Sequence, residues 1–186
     1  MAQTKNIVSI ILVAAFFVLF LTGCGGNQTR PIIEDGEFPF RLVYELNGEI
    51  FEFEDVIFCE FNGFDLSNAF SFQNRRRWVC ELVSNGNRRG ITLVQDENVY
   101  SPLNPDRFNE SMDVSFIIVG SGEYFMGDPN GGRRPRITLI ESYRPEVNIS
   151  RNVSTELTEE QLETYFRINV IELTLSDPIE NTFVRD

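Results

Sequence analysis

Hydrophobic and polar positions alternate along much of this chain, and the period is mostly two. In Glu49-Ile-Phe-Glu-Phe-Glu54, Phe51 and Phe53 alternate with Glu52 and Glu54. That spacing puts the rings on one face of a strand and the carboxylates on the other. Arg41–Leu46 is also strand-like, and Asn47-Gly48 separates the two runs. Asn-Gly supplies the two positive φ angles of a type I′ turn, so the pair predicts a hairpin. Val56–Phe61 is apolar on both faces up to Glu60, which predicts a strand at least partly covered on both sides. Asn62-Gly63 breaks it. Residues 64–76 are mixed, with Phe64, Phe70 and Phe72 as expected core or rim contacts.

Arg77–Val83 predicts the next strand, on which Trp78 and Cys80 lie two apart and share a face. A turn at Ser84–Asn87 leads to a strand over Gly90–Gln95. Residues 101–111 contain Pro102, Pro105 and several Asn and Asp, the composition of an exposed loop. Strands are expected over Asp113–Val119, Arg136–Tyr143 and Ile168–Leu175, with a short one at Tyr124–Met126 and an exposed loop over 129–135.

One helix stands out. Thr158-Glu-Glu-Gln161 has the spacing of a capping box, with Thr158 as N-cap and Gln161 reaching back. Glu159 and Glu160 sit in the first turn, where the helix dipole favours anions. Leu162, Tyr165 and Phe166 form an apolar stripe at helical spacing. So short a helix is marginal alone and must pack on the sheet. The fold class is mostly β: an antiparallel sandwich or barrel-like sheet over residues 39–186, with one short helix at about 158–166.

The first residues follow another pattern. Ile7–Leu21 is an unbroken apolar run preceded by Lys5 and followed by Leu21-Thr22-Gly23-Cys24. Fifteen residues fall short of the roughly 20 that span a bilayer as a helix, and they match the apolar region of a cleavable signal. Leu-Thr-Gly-Cys resembles the lipobox of bacterial lipoproteins. The resemblance implies a signal peptide over 1–23, a lipid thioether on Cys24, and an extracytoplasmic protein tied to the bacterial cell membrane. It covers residues 1–24 only. Residues 24–38 read as a flexible tether, of which 25–37 would span roughly 20 Å as a random coil.

Charge narrows the function classes. The formal net charge is −12, and all 28 acidic residues lie beyond residue 23. Loss of Lys5 with the signal leaves arginine as the only cationic side chain. The chain has no histidine. That excludes Ser-His-Asp and Cys-His catalysis and histidine-based metal sites. The negative charge disfavours nucleic acid, which needs cations at its phosphates, and repels an anionic membrane surface.

With Cys24 lipidated, Cys59 and Cys80 remain. Outside the cytoplasm they read as a disulfide, and Trp78 then points into the same core as Cys80. Gly120-Ser-Gly122 with Gly127 has the wrong spacing for a dinucleotide loop and reads as a turn. Asp128-Pro-Asn130-Gly131 and Asp96-Glu-Asn98 bring calcium-type oxygens together but complete no calcium loop, and read as turn residues. The clusters Arg75–Arg77, Arg88-Arg89 and Arg133-Arg134 with Arg136 read as solvated turn charges. No metal or cofactor is expected. The sequence favours a lipid-anchored, non-enzymatic binding domain whose partner is an envelope protein or a wall polymer. An Asp/Glu-dependent envelope hydrolase and a sensor or inhibitor of one protein partner stay open as alternatives.

Overall fold

The computed structural model describes residues 29–65, 75–146 and 149–185. Cys24 and the lipobox lie outside the described residues, as do Phe70 and Phe72. The order of elements is β1 (Thr29–Pro31), β2 (Asp35–Leu46), β3 (Glu49–Asp65), β4 (Arg75–Leu82), β5 (Gly90–Tyr100), β6 (Phe108–Ile117), α1 (Gly122–Phe125), β7 (Arg136–Glu146), β8 (Ile149–Glu156), α2 (Glu159–Phe166), β9 (Ile168–Leu175) and β10 (Phe183–Arg185).

The strands form two four-stranded sheets, β4-β3-β2-β9 and β5-β6-β7-β8, and a small ribbon of β1 with β10. Every pairing among the described residues is antiparallel. Among the described residues the sheets pack as a sandwich and close no barrel. Phe40 of β2 stacks on Phe116 of β6 with ring centroids 5.2 Å apart, and Phe38 stacks on Phe125 of α1 at 4.5 Å. Leu42, Ile57, Leu82, Val114, Leu139 and Ile168 complete a single buried core.

Local sequence explains the strongest elements. Asn47 and Gly48 both have positive φ, 53° and 86°, as the type I′ turn between β2 and β3 requires. β3 runs unbroken through Asp55 and, with neighbours on both sides, leaves Val56 and Phe58 half-buried on its outer face. Around α2 both capping-box bonds are present: Thr158 accepts from the Gln161 N–H and Gln161 from the Thr158 N–H.

Four expectations are corrected. Thr29–Pro31 and Asp35–Phe38 are strand, not tether, because they pair with β10 and with β3. Tyr124-Phe-Met126 is not a strand: Gly122–Phe125 forms a one-turn helix, and the buried Phe125 and Met126 cover one end of the core. Residues 108–111 belong to β6, and Ser101 and Asn109 are buried rather than in an exposed loop. Tyr165 does not join Leu162 and Phe166 in the core; it is half exposed.

Candidate functional site

Alternation along β4 puts Arg76, Trp78, Cys80 and Leu82 on its buried face, while Arg77 is exposed and Val79 and Glu81 are half-buried. Arg76 is therefore no solvated turn charge. Its guanidinium meets Asp128 in a two-pronged ion pair, Nε to Oδ2 and Nη2 to Oδ1, each 2.7 Å. Asp128 Oδ2 also accepts from the Trp78 indole N–H at 2.9 Å. Arg76 Nη1 donates to the Thr29 carbonyl and hydroxyl, and the Phe183 ring lies 4.2 Å from the guanidinium carbon. One buried arginine thus ties β4 to the loop after α1 and to the β1–β10 ribbon. Burial alone would raise the Asp128 carboxyl, but hydrogen bonds from Arg76, Trp78 and the Asn130 N–H outweigh it and hold it below its usual range. Asp128, weighed above as a calcium ligand or turn residue, is a counter-ion.

A second carboxylate, Glu141, is also fully buried. It accepts from Arg107 Nη1 and Asn109 Nδ2, both at 2.8 Å. Both fully buried acids among the described residues are thus hydrogen-bonded to an arginine. Among the described residues, no group of three or more His, Cys, Asp or Glu is placed to hold a metal ion.

Cys59 and Cys80 are direct cross-strand partners of β3 and β4 and form a disulfide, with Cα atoms 4.1 Å apart. Gly122 lies against this pair. A Cβ there would come within 2.4 Å of the Trp78 Cβ and 3.2 Å of the Cys80 sulfur. The glycine is thus set by packing, not by phosphate chemistry. The arginine clusters separate in space. Arg75 pairs with Glu123 and Arg88 with Glu81. Arg133, Arg134 and Arg136 line a recess of about 530 Å³, where Arg136 pairs with Glu156 at 3.4 Å.

Two other recesses compare directly. One, of about 560 Å³, lies on the outer face of β2, β3 and β9 around Pro39, Val56 and Leu175. Its arginine, Arg41, is already surrounded by Glu52, Glu54 and Glu172, so the surface offers apolar contact and little free polar chemistry.

The other is a cleft of about 440 Å³ where the β2–β3 turn, β5, β6 and the end of α2 converge. That volume is within the range of small-ligand sites. Met112 and Phe166, both buried, line it together with Tyr100, Tyr165, Asp96 and Arg167. Tyr100 is 65% exposed and Tyr165 48%. Phe108 supports Tyr100 edge-on, with ring centroids 5.2 Å apart.

The backbone around this cleft is unusual. Among the described residues, three non-glycines have positive φ: Asn47, Asn98 and Arg167. Asn47 and Arg167 line the cleft, and Asn98 is two residues from Tyr100. Asn47 is explained by its turn. Arg167 closes α2 at φ 54°, where glycine or asparagine would be the ordinary residue. An arginine there costs about 1 kcal/mol of strain. Strain of this kind gathers at functional sites.

Sequence reasoning missed the cleft because its parts come from four distant segments. Asp96 reads from the sequence as a turn residue with a calcium-type oxygen, and Tyr165 as part of an apolar stripe. Comparison with protein-family models, with characterised proteins and with solved structures finds no match.

Proposed function

We propose that this chain is a lipid-anchored, extracytoplasmic binding domain that takes its ligand in the cleft between Tyr100, Tyr165, Asp96 and Arg167. The observation that carries the reading is the cleft itself. Two accessible tyrosines stand beside an acid and an arginine whose side chains make no hydrogen bond or ion pair among the described residues. Aromatic and arginine side chains dominate recognition surfaces, and here they are left uncommitted, unlike Arg41, Arg76 and Arg107.

The anchor rests on the lipobox ending at Cys24. The first described strand starts at Thr29, and only residues 25–28 lie between it and Cys24 in the sequence. The five residue steps from Cys24 to Thr29 reach no more than about 18 Å. The domain would be held close to the headgroups, with its negative charge keeping it off an anionic surface. A disulfide between Cys59 and Cys80 suits an oxidising compartment.

The reading is tested by fractionating cells that make the wild type or Cys24→Ala. The wild type stays in washed membranes and leaves with detergent, while the variant is released or retained uncleaved. Equal, detergent-dependent and cleaved membrane retention of both forms would refute the anchor.

A further inference from the structure

Resting on the reading of the cleft as a binding site, we infer that its ligand is a neutral saccharide chain. A sugar ring presents C–H groups on its faces and hydroxyls around its rim. The faces need flat, accessible apolar surface, and Tyr100 and Tyr165 supply it from β5 and from α2. The rim needs donors and acceptors at the side. Asp96 offers two acceptor oxygens and Arg167 five donor N–H groups.

Charge decides against an anionic polymer. Asp96 and Arg167 cancel one another within the cleft. The chain as a whole carries −12, which repels polyanions at long range.

Geometry decides against an extended peptide. Such a ligand would add to the free edge of β5, which pairs only with β6 among the described residues. Asn98, at φ 55°, interrupts that edge inside the strand. Asp96 and Glu97 place charge on it, as protected edges do. Arg167 fits the same picture: a glycine would relax the backbone but remove the donor fork.

The test uses the lipidated protein purified from membranes, isotope-labelled, in a detergent without a sugar headgroup. Cellotetraose and chitotetraose serve as neutral probes, with an oligogalacturonate of equal length as the anionic one. A neutral probe should shift amides within residues 96–102 and 163–167 and saturate, and the anionic probe should bind at least about tenfold more weakly. Tyr100→Ala and Tyr165→Ala should each weaken binding about tenfold, equivalent to the 1.4 kcal/mol of one aromatic contact. Tyr165→Phe should retain it. Arg167→Gly should weaken binding while raising the melting temperature, a combination that a purely structural arginine would not give. Neither tyrosine is buried, so the alanine variants should keep the fold, and amide dispersion checks this.

Failure of both neutral probes to move the cleft amides would overturn the saccharide. So would stronger binding of the anionic probe. A glycan-free envelope protein fraction then separates the two readings. If it shifts the cleft amides of the wild type but not of the Tyr100→Ala/Tyr165→Ala double variant, the cleft reading stands with a protein ligand. If it shifts neither, both readings fall.

Discussion

Asp128→Ala should be among the most damaging single changes in this domain. The Asp128 side chain is fully buried and that of Arg76 is 7% exposed, so the substitution strands a guanidinium in the interior. Breaking a buried ion pair from one side typically costs 3–5 kcal/mol. The Trp78 indole N–H loses its acceptor as well, worth about 1–3 kcal/mol for a buried donor. The two losses share one oxygen and do not add, so about 4 kcal/mol is expected. That is a large share of the 5–15 kcal/mol that a domain of this kind commonly has.

The acid side has a defined sign. The folded-state carboxyl of Asp128 lies below its ordinary value of 3.8. The stability it supplies is therefore fully present above the unfolded pKa and is lost as pH falls through the folded one. Asp113 runs the other way. Burial, and then Glu97, raise its carboxyl, so protonating Asp113 on acidification favours the fold. Guanidinium unfolding followed by far-UV circular dichroism and by Trp78, the only tryptophan, measures both effects. Asp128→Asn should flatten the loss of stability below about pH 4, and Arg76→Met/Asp128→Leu should recover much of what Asp128→Ala loses, because no charge is then stranded. An Asp128→Ala protein within about 0.5 kcal/mol of wild type, a difference typical of neutral surface changes, would refute the reasoning.

Other changes follow from the same face of β4. Replacing Cys59 and Cys80 by serine opens a loop with a sequence separation of 21 and should lower stability by about 3 kcal/mol in calorimetry; an unchanged melting temperature would argue against the bridge. Trp78→Ala should cost about 3–5 kcal/mol by denaturant unfolding, whereas Glu81→Ala, on the outer face, should stay within about 0.5 kcal/mol. Gly122→Ala should cost about 1–3 kcal/mol through overpacking, since its Cβ would lie 2.4 Å from the Trp78 Cβ; stability equal to wild type would show that α1 moves aside freely.

What the sequence displayed was local. The Asn47-Gly48 turn, the capping box at Thr158 and Gln161, and the shared face of Trp78 and Cys80 each depend on residues a few positions apart. The Arg76–Asp128 pair spans 52 positions, and each member sits in a stretch whose composition suggests solvent. Yet a signal was present. The period of two that joins Trp78 to Cys80 also reaches back to Arg76. β8 escaped because it is an exposed edge strand, where burial imposes no alternation. β1 and β10 have three residues each, too few for any periodicity. The cleft was illegible for a further reason. Arg167 lacks the glycine that marks a helix end, so its left-handed backbone leaves no trace in composition.

The central claim is that this binding domain is anchored to the membrane through a lipidated Cys24. The most direct measurement is mass spectrometry of the N-terminal peptide of the protein extracted from bacterial membranes. The account predicts a chain that starts at Cys24, with a diacylglyceryl group on its sulfur. A chain that retains Met1–Gly23, or one that starts elsewhere without lipid, would contradict it.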